Sequence, residues 1–279
     1  MTITAFVSPF EQLYKERCTK VEDKYVPNFW NPQKVSQEKF CLYGDEDCEV
    51  EAEWSCENVI LKLIAAGLEL ELEVGEYVRE CTKNDLPDDP FVRKLLLSNV
   101  ADEARHFRGF QLAKEAYTIP NRFLADATEL RHEWQYVADR INPLLVAMAM
   151  EIGVFLPFLG CTRLFGGKSL ATMSSKIAQD EYRHVITNRS VLAAIGIETD
   201  KLPGMVQDLV DDSLEWAIAD LNIPEEYCGE DFNLDFVREA SKELIETGEA
   251  EAFNDVLLLS DHYLPFENTN ISQYDRVID

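Results

Sequence analysis

In two similar segments of the chain, a glutamate is followed three residues later by a histidine. In "ADEARH" these are Glu103 and His106, and in "QDEYRH" they are Glu181 and His184. The chain has four histidines, and His132 has the same spacing after Glu129 but lacks the sequence context of the other two pairs. Residues three apart on a helix lie on the same face, so each pair would present an oxygen and a nitrogen ligand to one metal ion. Carboxylate and imidazole together suit iron and manganese, whereas a ligand set without thiolates is a poor match for structural zinc.

A further carboxylate stands out because its surroundings are apolar. Glu151 is the only charged residue in the stretch 143–161. Burying an unpaired carboxylate costs on the order of several kcal/mol unless a cation or a proton compensates it. Four-helix carboxylate sites take one acid from each of two helices besides the two Glu-x-x-His helices. The other such acid would come from the helix before the first motif, where three candidates remain open: Glu69, Glu71 and Glu73.

The spacing of these positions along the chain fits ligands on successive long helices. They follow one another at intervals of about thirty to fifty residues, and a helix of about 20 residues spans ~30 Å before its connection. Four carboxylates and two imidazoles would bind two metal ions and leave coordination positions open for oxygen. The residues alone therefore predict a dinuclear iron or manganese site.

Hydrophobic periodicity predicts that helices carry these residues. The pattern indicates an all-α bundle in one domain, 1–279, with an irregular segment at 1–50 and an extended tail at 260–279. The stretch "LELELEV" alternates like a strand, but it sits inside a longer helical pattern, so we expect a helix there too. The expected helices cover about 53–82, 89–118, 122–138, 142–165, 168–195, 204–222 and 231–247.

Composition excludes several classes of function. A net charge of −26 opposes binding to nucleic acid backbones and to anionic membranes. The seven cysteines form no C-x-x-C pair, which argues against a disulfide framework or a zinc ribbon. The apolar stretch 143–161 is nearly long enough for a membrane span, but its central Glu151 and the lack of basic flanks favour a buried core helix. The first residues show no signal-peptide pattern, so we expect a cytoplasmic protein.

Several segments resemble those of one known family. They are "NFWNPQKV" (28–35), "VGEYVREC" (74–81), "VAMAMEIGVFLPF" (146–158), "KIAQDEYRHV" (176–185), "DDSLEWAIADL" (211–221) and "PFENTNISQYDRV" (265–277). That family is the small, radical-generating subunit of class I ribonucleotide reductase, within the ferritin-like superfamily. The likeness runs over roughly residues 25–279. It implies a ferritin-like four-helix bundle core with additional helices.

The resemblance also implies roles for individual residues. It selects Glu71 among the three open candidates, which gives the six metal ligands Glu71, Glu103, His106, Glu151, Glu181 and His184. Trp30 and Asp180 match positions that relay an electron and a proton between the metals and the large catalytic subunit. A tyrosine of the C-terminal tail continues that relay, and Tyr274 is favoured over Tyr263 by its position.

The activity that the resemblance implies is the supply of an oxidant. An Fe/Fe or Mn/Fe centre would react with molecular oxygen and pass a one-electron oxidant to a large subunit, which reduces ribonucleotides to deoxyribonucleotides. The large subunit would bind through the C-terminal tail, and the chain would form a homodimer.

One position departs from the family. The radical tyrosine of the family usually lies four residues after the first motif histidine, and here that residue is Phe110, which has no hydroxyl group. The oxidant could instead reside on a mixed Mn/Fe centre or on another tyrosine of the ligand-bearing helices, namely Tyr77, Tyr117 or Tyr182. The departure also leaves open a stand-alone di-metal oxidase or oxygenase that needs no partner. An iron-storage cage is a third reading, disfavoured by the irregular first 50 residues and the long tail.

Overall fold

The described part of the molecule is built of helices. The computed structural model describes residues 56–84, 86, 89–155 and 168–218, with residues 238, 241, 242, 245 and 246, and these contain no strand. The helices are α1 (Cys56–Asn84), α2 (Pro90–Ala116), α3 (Asn121–Ala138), α4 (Pro143–Met150), a π-helical turn (Glu151–Phe155), α5 (Lys168–Ala194) and α6 (Gly204–Ile218). The all-α prediction is confirmed for this part of the chain. The predicted segments 1–50 and 260–279 lie outside it, as does most of 231–247.

Two helices begin as their sequences dictate. Asp89 precedes α2, and its carboxylate accepts a hydrogen bond from the backbone N–H of Phe91 at 2.8 Å. Asn142 precedes α4, and its Oδ1 accepts from the N–H of Leu144 at 3.0 Å. In both helices the first position is a proline, which has no N–H to leave unpaired and whose φ is already helical.

Four helices form a closed ring around the centre of the described structure. Helix α1 packs against α2, α2 against α5, α5 against α4, and α4 against α1. Helix α3 covers α1 and α4 from outside, and α6 covers α3 and the π-helical turn. The four helices of the ring are those on which the sequence predicts metal ligands.

The fourth predicted helix differs from the prediction. An α-helix was expected over 142–165, but α4 ends at Met150, a π-helical turn follows, and 156–165 lies outside the described residues. In a π-helical turn the hydrogen bonds run from i to i+5, so the turn holds one extra residue. Gly153 makes this turn possible against α6, because a Cβ there would lie 2.5 Å from Cγ1 of Val210.

The apolar stretch around Glu151 is core, as expected from its sequence. Every residue from 144 to 155 is buried against neighbouring helices. Across the described ranges, the helices include none that combines the length and the apolarity needed to cross a membrane.

Glycines bring α1 close to α2 on either side of Glu71. A Cβ on Gly67 would overlap the buried ring of Phe110, and a Cβ on Gly75 would lie 3.4 Å from Cβ of Glu103. These glycines precede and follow Glu71 by four residues, so all three lie on one face of α1. The close approach lets the Glu71 side chain reach His106 on α2, with 3.3 Å between its Oε2 and the histidine Nδ1.

Candidate metal centre

Six acidic and imidazole side chains meet inside the helix ring. Helix α1 contributes one, α2 and α5 contribute a glutamate and a histidine each, and the start of the π-helical turn contributes one. All six are at most 1% exposed. They are the six residues predicted from the sequence: Glu71, Glu103, His106, Glu151, Glu181 and His184.

The six side chains form two overlapping groups. Group A consists of Glu71, Glu103, His106 and Glu181, and group B of Glu103, Glu151, Glu181 and His184. Within each group, one ligand atom from every residue lies within 4.8 Å of the others. Either group could hold a metal ion, because buried carboxylates and imidazoles at this separation are suitable ligands.

The two glutamates common to both groups point one oxygen at each histidine. Nδ1 of His106 lies 3.4 Å from Oε2 of Glu103 and 3.2 Å from Oε1 of Glu181. Nδ1 of His184 lies 3.0 Å from Oε1 of Glu103 and 3.3 Å from Oε2 of Glu181. The imidazole rings are stacked with their centroids 6.0 Å apart. Each shared carboxylate therefore presents one oxygen to the histidine of each group.

Each of the remaining two carboxylates lies beside one histidine only. Oε2 of Glu71 lies 3.3 Å from Nδ1 of His106, and Oε1 of Glu151 lies 3.6 Å from Nδ1 of His184. Asn188, one turn after His184 on α5, donates from its side-chain amide to Oε2 of Glu151 at 3.1 Å. The amide thus fixes the orientation of a carboxylate that starts the π-helical turn.

Several buried polar atoms of the centre have no hydrogen-bond partner among the described residues. They are Oε1 of Glu71, Oε1 of Glu103, both oxygens of Glu181 and Nδ1 of His184. Buried polar atoms are nearly always paired, so a cluster of unpaired ones needs a ligand to satisfy it. Four carboxylates and two imidazoles facing one another are lone-pair donors, so a cation is the group that fits.

The pKa values of the metal-free centre show how protons compensate its charge. Burial raises the pKa of Glu151 to about 8 and raises that of Glu71 well above its usual range. Burial alone would lower the pKa values of both histidines, but the surrounding carboxylates raise them well above the usual 6.5. Burial likewise opposes ionisation of Glu103, yet the charges of His184 and His106 lower its pKa to about 2.

The far side of each imidazole faces an aspartate. Nε2 of His106 lies 3.2 Å from Oδ2 of Asp180, and Nε2 of His184 lies 3.3 Å from Oδ2 of Asp102. The Arg183 guanidinium is farther from the second imidazole, at 3.5 Å from the same Nε2. A carboxylate that accepts from Nε2–H leaves the lone pair of Nδ1 facing the centre, which is the form that binds metal.

Three residues of this surrounding layer are not among those predicted from the sequence. They are Asp102, Arg105 and Arg183, which are paired with one another or with the histidines. The available signal was the fuller repeat, because both motifs read D-E-x-R-H. Asn188 was also missed, and its type and spacing alone gave no signal.

The outcome of the other predicted residues is mixed. Glu69 forms an ion pair with Arg131 on α3, 3.2 Å away, so it faces away from the centre that Glu71 enters. Asp180 is buried beside His106. The predicted relay residues Trp30 and Tyr274 lie outside the described residues, as does the alternative Tyr263.

One of the tyrosines considered for the radical, Tyr77 on α1, is buried. Tyr77 lies six positions after Glu71, about 240° further round the helix. Burial, and next the charge of the Glu73 carboxylate, raise the pKa of Tyr77 above its ordinary value. Phe110 is fully buried, one turn after His106.

Comparison of the chain with protein-family models, with curated proteins and with solved structures finds no match. The likeness to the small subunit of ribonucleotide reductase therefore rests on the sequence segments alone. The capacity to hold metal rests on the geometry of groups A and B, which stands independently of that likeness.

Proposed function

We propose that the chain binds two metal ions side by side, one in group A and one in group B. The observation that carries this proposal is the way Glu103 and Glu181 divide their oxygens between the two histidines. Glu103 and Glu181 would each serve both ions, and the outer carboxylates and imidazoles would complete the two ligand sets. When bound, an Fe/Fe or Mn/Fe pair supplies reaction with molecular oxygen and storage of a one-electron oxidant.

The chain's own residues prepare the site for this chemistry. The two shared glutamates hold the ligand atoms of both groups together, and Asp102 and Asp180 keep the histidine Nδ1 atoms directed inward. Complete burial of the six ligands keeps bulk water away, which strengthens every electrostatic interaction in the centre. The ring of four helices is consistent with a ferritin-like bundle, and we include that fold in the proposal.

We further propose that the oxidant serves a ribonucleotide reductase. The support is the ligand set, the sequence segments that resemble the small subunit, and the position of Asp180. Its carboxylate connects buried His106 with Arg105, whose side chain is 13% exposed, at 3.2 Å on each side. This contact path leads from the centre towards the surface, as a relay of an electron and a proton to Trp30, Tyr274 and a large catalytic subunit requires.

A second function is favoured by one specific observation. Phe110 fills the space against Gly67 and has no hydroxyl group that could hold a radical one turn from His106. A stand-alone di-metal oxidase or oxygenase needs no radical at that position and no partner. Turnover of an organic substrate by this chain alone would favour this second function.

The decisive experiment pairs metal analysis with nucleotide reduction. We expect two equivalents of metal per chain, an EPR signal that changes on exposure to oxygen, and reduction of ribonucleotides when a cognate large subunit is added. Trp30→Phe and Tyr274→Phe should each abolish reduction without changing metal content. Tyr136→Phe is the matched control, because Tyr136 is 54% exposed on α3 and away from the centre. Full reduction by both relay variants would reject the relay, and binding of fewer than two metals would reject the centre itself.

A further inference from the structure

The two D-E-x-R-H motifs support each other crosswise. Asp102 belongs to the first motif, yet its Oδ2 lies 3.3 Å from Nε2 of His184 in the second. Asp180 belongs to the second motif, and its Oδ2 lies 3.2 Å from Nε2 of His106 in the first. Each histidine therefore takes its outer contact from the opposite helix of the α2–α5 pair.

Two arginines join these aspartates into an ion ring, which we define as Asp102, Arg105, Asp180 and Arg183. Arg105 donates to Oδ1 of Asp102 at 2.5 Å and to Oδ2 of Asp180 at 3.2 Å. Arg183 donates to Oδ2 of Asp102, and its Nη2 lies 3.6 Å from Oδ1 of Asp180. Two positive and two negative side chains thus balance in a region where three of the four are almost completely buried.

The ring surrounds the carboxylate of Asp102 with donors. Its Oδ1 accepts from Arg105, and its Oδ2 accepts from Arg183 and lies 3.3 Å from Nε2 of His184. Because donors converge on both oxygens, the carboxylate acts as the acceptor towards Nε2–H. It therefore holds the proton of the imidazole on Nε2 and leaves Nδ1 free to bind metal.

We propose that Asp102 is a positioning residue for the metal ion of group B, because it contacts His184, the histidine of the other motif. It does not position the ion of group A, although Glu103 and His106 of that group lie on the same helix as Asp102. The inference rests on the proposed two-metal site. By the same geometry Asp180 positions the ion of group A. The partner aspartate of a ligating histidine typically changes metal affinity by about 10- to 100-fold.

An asparagine cannot replace this aspartate in either orientation. Oδ1 of Asp102 accepts a hydrogen bond from Arg105, and Oδ2 accepts from Arg183 and from Nε2–H of His184. Asparagine has a single acceptor oxygen, so its NH₂ group would face a donor on one side or the other. Where it faces His184, it would favour the tautomer with a proton on Nδ1, which cannot bind metal.

Single-site backgrounds allow the crosswise effect to be measured. Glu151→Gln removes a ligand that only group B uses, and Glu71→Gln removes one that only group A uses. Each full-length variant, freed of metal with a chelator, is titrated with Mn(II) while free Mn(II) is followed by EPR. Wild type should bind two ions, and each background should bind one.

Asp102→Asn should then act in one background only. Together with Glu71→Gln, where group B alone remains, it should weaken Mn(II) binding by tenfold or more. Together with Glu151→Gln, where group A alone remains, it should change binding by less than about twofold. Asp126→Asn is the matched control, because Asp126 accepts a hydrogen bond from Trp216 on the outer side of the bundle, and it should alter neither background.

The outcomes separate this inference from the proposed function. Equal weakening in both backgrounds, weakening in the Glu151→Gln background alone, or no weakening would each overturn the crosswise role. Wild type that binds fewer than two Mn(II) ions would overturn the two-metal proposal. If circular dichroism shows that Asp102→Asn does not fold, Asp180→Asn decides, because its effect must fall on group A alone.

Discussion

Replacement of Glu151 by glutamine should stabilise the protein when no metal is bound. Burial raises the pKa of Glu151 from its ordinary 4.5 to about 8, so the folded, metal-free protein keeps this carboxyl protonated at pH 7. The unfolded chain ionises the same group above about pH 4.5. The folded state therefore binds the extra proton, and this group's contribution to stability falls as pH rises between these two values. A glutamine stays neutral in both states and escapes that loss.

The size of the effect follows from the two pKa values. Between the ordinary pKa of 4.5 and pH 7, ionisation stabilises the unfolded chain but not the folded protein. At about 1.4 kcal/mol per pH unit, wild type thereby loses about 3 kcal/mol of stability at pH 7. At pH 5 the same relation gives less than about 1 kcal/mol. Glutamine also keeps an oxygen that can accept the hydrogen bond from Asn188. The expected gain at pH 7 is therefore up to about 3 kcal/mol, and it disappears towards pH 4.5.

Urea unfolding of chelator-treated protein between pH 5 and pH 8 measures this difference. Glu115→Gln is the control, because Glu115 is exposed on α2 and its replacement should change stability by less than about 0.5 kcal/mol. Saturating Mn(II) should reverse the order, since wild type then gains binding energy that the variant lacks. The reasoning is refuted if metal-free wild type is the more stable protein at pH 7, or if the difference is the same at every pH.

Three more outcomes are expected. Gly67→Ala should lower the free energy of unfolding by about 1–3 kcal/mol, because the new methyl group overlaps the buried ring of Phe110. Gly204→Ala is the control in the same urea assay, because its methyl group meets open space and should change the free energy of unfolding little. Metal binding should release protons and tighten as pH rises from 6 to 8, since both ligand histidines have raised pKa values and metal competes with their protons, as calorimetry in two buffers would show. Asn188→Ala should weaken Mn(II) binding in group B more than in group A, because it frees the outer carboxylate of group B.

Each of these outcomes can fail in a distinct way. Equal stability of the two glycine variants would mean that the helices separate without cost. If the enthalpy of metal binding is the same in both buffers, no protons are released, and the histidines are neutral before metal binds. Equal loss at both groups in the asparagine variant would mean that the amide supports the whole centre.

Much of the centre is predictable because helical spacing is a strong constraint. Two of the three Glu-x-x-His pairs and the solitary acid in an apolar helix account for five of the six residues of groups A and B. The sixth was ambiguous because Glu69, Glu71 and Glu73 all fit the helix, and only packing decides which face of α1 meets α2. Gly67 and Gly75, each four residues from Glu71, are the local sign of that face.

Other features depend on contacts between distant segments. The π-helical turn that begins at Glu151 depends on how closely α6 approaches Gly153, which no local pattern in the sequence specifies. The crosswise pairing of Asp102 with His184 joins residues far apart in the chain. The sequence shows that the two motifs are alike but not that each one completes the other.

The contact of each aspartate with the histidine of the other motif has a consequence for protein design. A helix carrying one D-E-x-R-H segment, grafted into a different bundle, would bring its glutamate and histidine but leave behind the aspartate that orients its imidazole. The smallest unit that could be transplanted is therefore the pair of helices α2 and α5 together, with the spacing between them preserved.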